Sequence, residues 1–257
     1  MRVVSAAATD VGRKRDHNED NLCVVDDERL FIVADGMGGH EFGEVASQIA
    51  VETVAGFFRE TSQDDEITWP FKLDDERTYE GNRLSAGIKL ANLRIREASS
   101  SSESQRKMGT TIVAMHVAGD VAHVAHVGDS RIYRVREGVF EQITRDHSLW
   151  NQYMDSDEEI TDEMREYIGR YKNVITRALG MHDSVEVDVF DHDLQTGDLF
   201  MLCSDGLTDM LDNDAILGLI DELGDDLDAC CTELVAAANE AGGVDNITVM
   251  LVRVDSE

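Results

Sequence analysis

Proline is all but missing from the chain; Pro70 is the only one in 257 residues. No Pro/Gly/Ser-rich linker interrupts the sequence, and the one low-complexity patch, Ser99–Ser104, is too short to separate domains. No internal repeat is visible. With 42% hydrophobic residues, residues 1–257 are expected to form a single domain with one sizeable core. Long apolar runs are also lacking: none approaches the roughly 18 residues needed to cross a bilayer. The first ten residues lack the apolar stretch of a secretory leader. Cysteine is sparse, with Cys23, Cys203, Cys230 and Cys231 showing no CxxC spacing. Such cysteines read as small buried hydrophobes in a reducing compartment, neither disulfide frame nor zinc site. A cytoplasmic protein with no membrane attachment is expected.

Positive charge is scarce as well. Against 53 acidic residues stand 23 basic ones, for a formal net charge of -30. Nucleic acid is thereby excluded as a partner, since phosphate backbones need a basic footprint. The excess of acid keeps a chain soluble and is compatible with bound divalent cations or a high-salt cytoplasm. The one compact basic cluster, Arg13-Lys14-Arg15, runs directly into Asn18-Glu19-Asp20.

What is abundant is alternation of apolar runs with acidic, glycine-bearing turns. Asn21–Val25 and Arg29–Ala34 predict two strands joined by Asp26-Asp27-Glu28. In such a hairpin Glu19 and Asp20 lie beside Asp35. Val45–Phe58 and Tyr79–Ala98 carry helical apolar periodicity and are expected to pair. Met108–Met115, Val121–Val127, Arg131–Arg136 and Val139–Ile143 read as antiparallel strands. A polar insert of about 146–172, with two short helical patterns, reads as a surface flap. Val174–Ala178, Val185–Val189, Asp198–Cys203 and Ile247–Val254 are further predicted strands; Ile216–Leu223 and Leu227–Ala241 are predicted helices.

Asp35-Gly36-Met37-Gly38-Gly39 follows a core strand and precedes a helix, a design repeated at Ser204-Asp205-Gly206. Glycine costs backbone entropy, so its repetition here points to a backbone that bends sharply and approaches something closely. Asp35, Asp205 and Asp245 each stand at a strand edge, and Glu19, Asp20 and Asp129 hold comparable positions. One such acid is an ordinary turn residue. Six at sheet ends need a compensating cation, and an all-oxygen donor set selects Mg²⁺ or Mn²⁺ over zinc. Two such ions sharing one aspartate would acidify a bridging water and give a hydroxide nucleophile. Arg15 could grip a phosphate in a bidentate manner.

These residues, together with Met108-Gly109-Thr110-Thr111, Gly128-Asp129-Ser130-Arg131, Asp146-His147-Ser148, Ile175–Gly180 and Asp245-Asn246-Ile247-Thr248, occur in the order found in a known family. The chain closely resembles the metal-dependent Ser/Thr protein phosphatases of type 2C (the PPM family) in their bacterial single-domain form. The resemblance implies an α+β fold, a sandwich of two antiparallel sheets flanked by helix pairs, with the insert as a variable flap. It implies that Asp35 bridges two metal ions, with Glu19 and the Gly36 carbonyl completing one site and Asp205 and Asp245 the other. Asp20 would hold bound water behind them, Asp129 with Asp205 would make a third metal position, and Arg15 would clamp the phosphoryl group. Asp35, Asp205 and Arg15 are thus the expected catalytic residues. Phosphoproteins are the implied substrates, a bacterial-type Ser/Thr kinase the implied counterpart in signal transduction, and a monomer the expected state. The alternatives are a pseudophosphatase scaffold, which would lack metal-site acids, and a small-molecule phosphohydrolase. One departure stands out: Met37 occupies the position where many relatives outside bacteria carry a histidine proposed as the acid. Its thioether cannot donate a proton, which leaves metal-bound water or His40 for that role.

Overall fold

The computed structural model describes residues 1–38, 41–63, 69–100, 108–156, 161–169, 171 and 174–256. Leu30-Phe31-Ile32-Val33-Ala34 is apolar at every position, which suits a strand only when both sheet faces are covered. That is its place in β3 (Leu30–Met37). Leu30, Ile32 and Ala34 join a core with Phe58, Leu84 and Ile88, residues of α1 (Glu41–Gln63) and α2 (Tyr79–Ser100). Phe31 and Val33 face the opposite way, into a second core shared with Phe200, Leu202, Met250 and Val252.

Those last four belong to the other sheet. Its order is β1 (Arg2–Asp10), β11 (Ile247–Asp255), β10 (Leu199–Cys203), β7 (Arg131–Arg136) and β8 (Val139–Gln142). The sheet containing β3 runs β2 (Asp20–Val25), β3, β5 (Ile112–Ala118), β6 (Val121–Val127) and β9 (Asp188–Asp193), with β4 (Gly109–Thr110) on the far end of β3. The pairings in both sheets are antiparallel. The outer face of the first sheet presents Met201, Cys203, Val249 and Leu251 to Ile216, Cys231 and Leu234, carried by α6 (Asn213–Leu223) and α7 (Leu227–Glu240). Asp212 and Asp226 cap these helices, accepting from the amides of Ala215 and Ala229, which satisfies donors a helix start leaves free. The layers are therefore helix pair, sheet, sheet, helix pair, the α+β sandwich expected.

Several boundaries differ from expectation. Val174–Ala178 is not a strand but makes isolated bridges at Ser148–Ile175 and, just beyond it, Thr110–Leu179. Its backbone groups are taken singly: the Thr176 amide donates to the His147 carbonyl at 2.7 Å, and the Leu179 amide to Thr110 at 2.9 Å. β9 begins only at Asp188, after the predicted Val185. It pairs with β6 alone, and an edge strand needs no apolar signal. The 146–172 segment contains α3 (Leu149–Met154) and α4 (Asp162–Gly169), while 157–160, 170 and 172–173 lie outside the described residues. So do His40 and most of the serine patch. Among the described residues no helix is long and apolar enough to cross a membrane.

Two glycine-to-alanine changes separate backbone cost from close approach. At Gly56 in α1 an added Cβ meets nothing within 4 Å, so Gly56→Ala should raise stability in urea unfolding by about 1 kcal/mol. At Gly36 a Cβ would fall 2.1 Å from the Gly43 carbonyl oxygen and 2.5 Å from that of Glu19. Gly36→Ala should therefore cost at least the ~3 kcal/mol upper end of ordinary overpacking.

Candidate active site

Five chain segments reach the same end of the sandwich. The β2–β3 register sets Asp20 directly opposite Asp35, so their side chains share a face. Cys203 pairs with Val249 where β10 ends and β11 begins, and the Ser204 amide donates to the Thr248 carbonyl at 3.1 Å. This places Asp205, the first residue of the short α5 (Asp205–Thr208), beside Asp245. Gly206 permits the approach, since a Cβ there would lie 2.0 Å from the Asn246 carbonyl oxygen. The turn Gly128-Asp129-Ser130 arrives as the chain crosses from β6 in one sheet to β7 in the other. Arg15, Glu19, Asp35, Asp129, Asp205 and Asp245 line one cavity of about 230 Å³, with Gly36, Met37 and Ile175 on its wall. The acids singled out by sequence are thus brought together, with Asp20 directly behind.

A frame of neutral groups aims them. The Asp35 carbonyl accepts from the Thr111 amide at 2.9 Å and the Thr110 hydroxyl at 2.8 Å, and its amide donates to the Thr111 hydroxyl at 3.1 Å. Asn246 accepts from the Glu19 amide at 2.8 Å and donates to the Val11 and His17 carbonyls. Asp20 Oδ2 accepts from both Ser204 at 2.8 Å and Thr248 at 2.7 Å. Behind Thr248 stand Thr9 at 2.8 Å and then the Asn18 amide group, also at 2.8 Å from Thr9. The functional weight of Ser204, Asn246 and Thr248 was missed in the sequence. They stood in visible motifs, but only the tertiary register shows that they converge on Asp20 and Glu19.

The electrostatics are those of acids with too little countercharge. Burial, then the charges of Asp20, Asp205, Asp129 and Asp245, pushes the Asp35 carboxyl well above its ordinary range. Burial also raises Asp20 to about 7, Asp129 to about 7 and Asp205 to about 6, with neighbouring carboxylates adding to each. Glu19 is raised for the same leading reason. Glu19 Oε1 and Asp20 Oδ1 are buried with no hydrogen-bond partner, a costly condition unless something outside the chain binds them. An all-oxygen set with unpartnered oxygens fits a hard divalent cation. Among the described residues the guanidinium on the cavity wall is that of Arg15, which pairs with Asp245 at 2.7 Å and is 48% exposed, free enough to turn toward an incoming anion.

A second group, His126, His147 and Asp188, has possible ligand atoms within 4.8 Å of one another. Arg177 already places NH1 2.5 Å from Asp188 and 3.0 Å from His147 Nε2. Beside the acid cavity lies a larger cleft of about 720 Å³, walled by Arg131, Asp146, Trp150 and Thr208.

The protein phosphatase 2C family model matches residues 12–247. The serine/threonine phosphatase stp of Listeria monocytogenes serotype 4b is 39% identical over 253 residues, covering 96% of this chain and 94% of its own. The crystal structure of the Mycobacterium tuberculosis serine/threonine phosphatase PstP/Ppp superposes with a TM-score of 0.83 at 31% identity, covering 99% of each chain. The catalytic domain of the serine/threonine protein phosphatase PstP in complex with 2 manganese ions superposes at 0.79, 32% identical over 99% of each chain.

The raised acids carry a pH dependence. In chelator-treated protein Asp20, Asp129 and Asp205 keep protons to about 7, 7 and 6, whereas the unfolded chain releases them near 3.8. The native state then binds more protons than the unfolded state, and stability falls as pH rises from about 4 to 7. Asp188, held low by His147 and Arg177, acts in the opposite sense but only at more acid pH. The melting temperature of chelated protein should drop between pH 5 and 7.5, and saturating Mg²⁺ or Mn²⁺ should flatten the drop. A rising curve under chelation would show these acids ionised.

Proposed function

The chain belongs to the protein phosphatase 2C family and is a metal-dependent serine/threonine protein phosphatase, and from that premise we propose how its residues divide the work. Asp35 would serve both of two Mg²⁺ or Mn²⁺ ions, with Glu19 and the Gly36 carbonyl completing one position and Asp205 and Asp245 the other. Asp129 with Asp205 offers a third. When bound, the ions supply Lewis acidity, acidifying the attacking water and neutralising charge on the phosphoryl oxygens. Arg15 leaves Asp245 to grip those oxygens in a charge-assisted pair. Asp20, fixed through Oδ2 by two hydroxyls, uses its other oxygen to hold and orient water. Met37 on the cavity wall cannot protonate the departing serine or threonine oxygen, so that proton comes from water held among the carboxylates or from His40.

The observation that carries this reading is the meeting of Asp35, Asp205 and Asp245 in one cavity beside buried oxygens without protein partners. A pseudophosphatase has no such support, because every expected acid is present and gathered. The neighbouring cleft, bordered by Trp150 on α3, leaves room for polypeptide around the phosphorylated residue and favours phosphoproteins over small phosphoesters. The insert of about 146–172, of which Asp146, Ser148, Trp150, Asn151 and Gly169 line that cleft, serves as the flap within a single catalytic domain. The protein works as a monomer opposing a cognate Ser/Thr kinase. A cytoplasmic location is in keeping with four free cysteines, three of them buried.

Hydrolysis of a phosphothreonine peptide should require Mg²⁺ or Mn²⁺, and full activity in excess chelator would end the metal reading. Asp205→Asn should lower kcat by about 100-fold or more with the fold retained by circular dichroism. Arg15→Ala should act mainly on KM, raising it about tenfold for loss of one charged contact; an unchanged KM would move Arg15 out of the phosphate site.

A further inference from the structure

The geometry points to His147 as the residue that positions Asp129, a role that rests on reading Asp129 as one of the metal-binding acids. Both polar backbone groups of the preceding Gly128 are held by this one residue: the Gly128 amide donates to His147 Nδ1 at 3.0 Å, and the His147 amide donates to the Gly128 carbonyl at 2.9 Å. Gly128 sits at φ +111°, and a Cβ there would strike Thr111 at 2.6 Å. The turn is thus in a conformation that glycine alone adopts readily and needs anchors on both sides. Ser130 supplies the other anchor through the Thr111 hydroxyl, 2.7 Å away.

The role of Nδ1 follows from its donor: an amide can only donate, so Nδ1 accepts. On the far side of the ring Nε2 lies 3.0 Å from Arg177 NH1 and 3.3 Å from Asp188 Oδ2, while Asp188 Oδ1 takes Arg177 NH1. The imidazole is 9% exposed, and the His126 ring stacks on it at 4.5 Å and 15°. Burial lowers His126 to about 4, so the stacked ring is neutral and donates its Nε2 proton to the Arg145 carbonyl at 2.9 Å. Nearly parallel rings aim their lone pairs in separate planes, and Arg177 supplies the positive charge; this cluster is a clamp and not a metal centre. The His147 carbonyl accepts from the Thr176 amide and hydroxyl at 2.7 and 3.1 Å, next to Ile175 on the cavity wall. One residue therefore registers two walls of the site, the Asp129 turn and the Ile175 segment, against each other.

Three variants test this beside wild type: His147→Leu fills the volume without an acceptor, His147→Asn restores an acceptor near the Nδ1 position, and near-isosteric Asp188→Asn loosens the Asp188–Arg177 pair that holds the far side of the ring without emptying the core. Readouts are Mn²⁺ binding by calorimetry, amide exchange at Gly128, and kcat and KM on a phosphothreonine peptide. His147→Leu is expected to weaken Mn²⁺ binding or kcat by about 10–100-fold, as for residues that orient ligands, with KM within about twofold and faster Gly128 exchange. Asn should recover most of this, and Asp188→Asn should show a milder form of the same pattern. Normal Gly128 exchange and kcat in His147→Leu would overturn the proposal. So would equal impairment of Leu and Asn variants with equal loss of melting temperature, which marks a merely structural residue. If His147→Leu does not fold, Asp188→Asn decides by the same readouts. Asp129→Asn run in parallel keeps the readings apart: wild-type Mn²⁺ binding and activity there would sink the metal role of Asp129, while Gly128 exchange still reports the clamp.

Discussion

Carboxylates crowded into a dry site repel one another, and the end of the sandwich is organised around that repulsion. Burial is the leading cause that pushes Asp20, Asp35, Asp129 and Asp205 upward, and the charges of Asp20, Asp129 and Asp205 add to the strain on Asp35. In the interior such an arrangement persists only with protons or with cations of high charge. A hydrolase that needs divalent ions turns the same repulsion to use, because the acids cannot relax apart. They are fixed by strand ends that the three cores hold in place.

The rigidity that resists this repulsion is mostly neutral. Antiparallel ladders set Asp20 against Asp35 and bring the end of β10 to the start of β11. Gly36 and Gly206 let backbones approach where any Cβ would collide. Hydroxyls and amides then finish the aim: Ser204 and Thr248 on Asp20, Asn246 on Glu19, Thr110 and Thr111 on the Asp35 backbone. Sites carried on rigid elements and backed by locked partners hold geometry better than sites on free loops. His147 extends the same logic to Asp129, the acid that sits on a turn.

Charge has a longer reach than these contacts. A protein at -30 repels phosphorylated partners at a distance, so the local sign at the cavity mouth matters. The Arg13-Lys14-Arg15 cluster is set there by backbone, the Arg13 amide donating to the Gly243 carbonyl at 2.7 Å. Lys14 and Arg15 line a small hollow adjoining Glu19.

Most of the architecture was legible in one dimension because its causes are local. An apolar run at Leu30–Ala34 has to be covered on both faces, helical periodicity over Val45–Phe58 and Tyr79–Ala98 has to bury a stripe, and an aspartate followed by glycine at a strand end announces a turn built for close approach. The acids of the site were legible for the same reason. Irregular and edge segments were legible only with the wrong type or bounds: Val174–Ala178 satisfies its backbone one bond at a time with different partners, and β9, an edge, starts at Asp188 with only Val189 and Phe190 apolar. Nor could the sequence reveal that Ser204 and Thr248 meet on Asp20, or that His126, His147, Asp188 and Arg177 form a single clamp. Those groups lie tens to hundreds of residues apart, and only the register of two sheets packed face to face decides which of them touch.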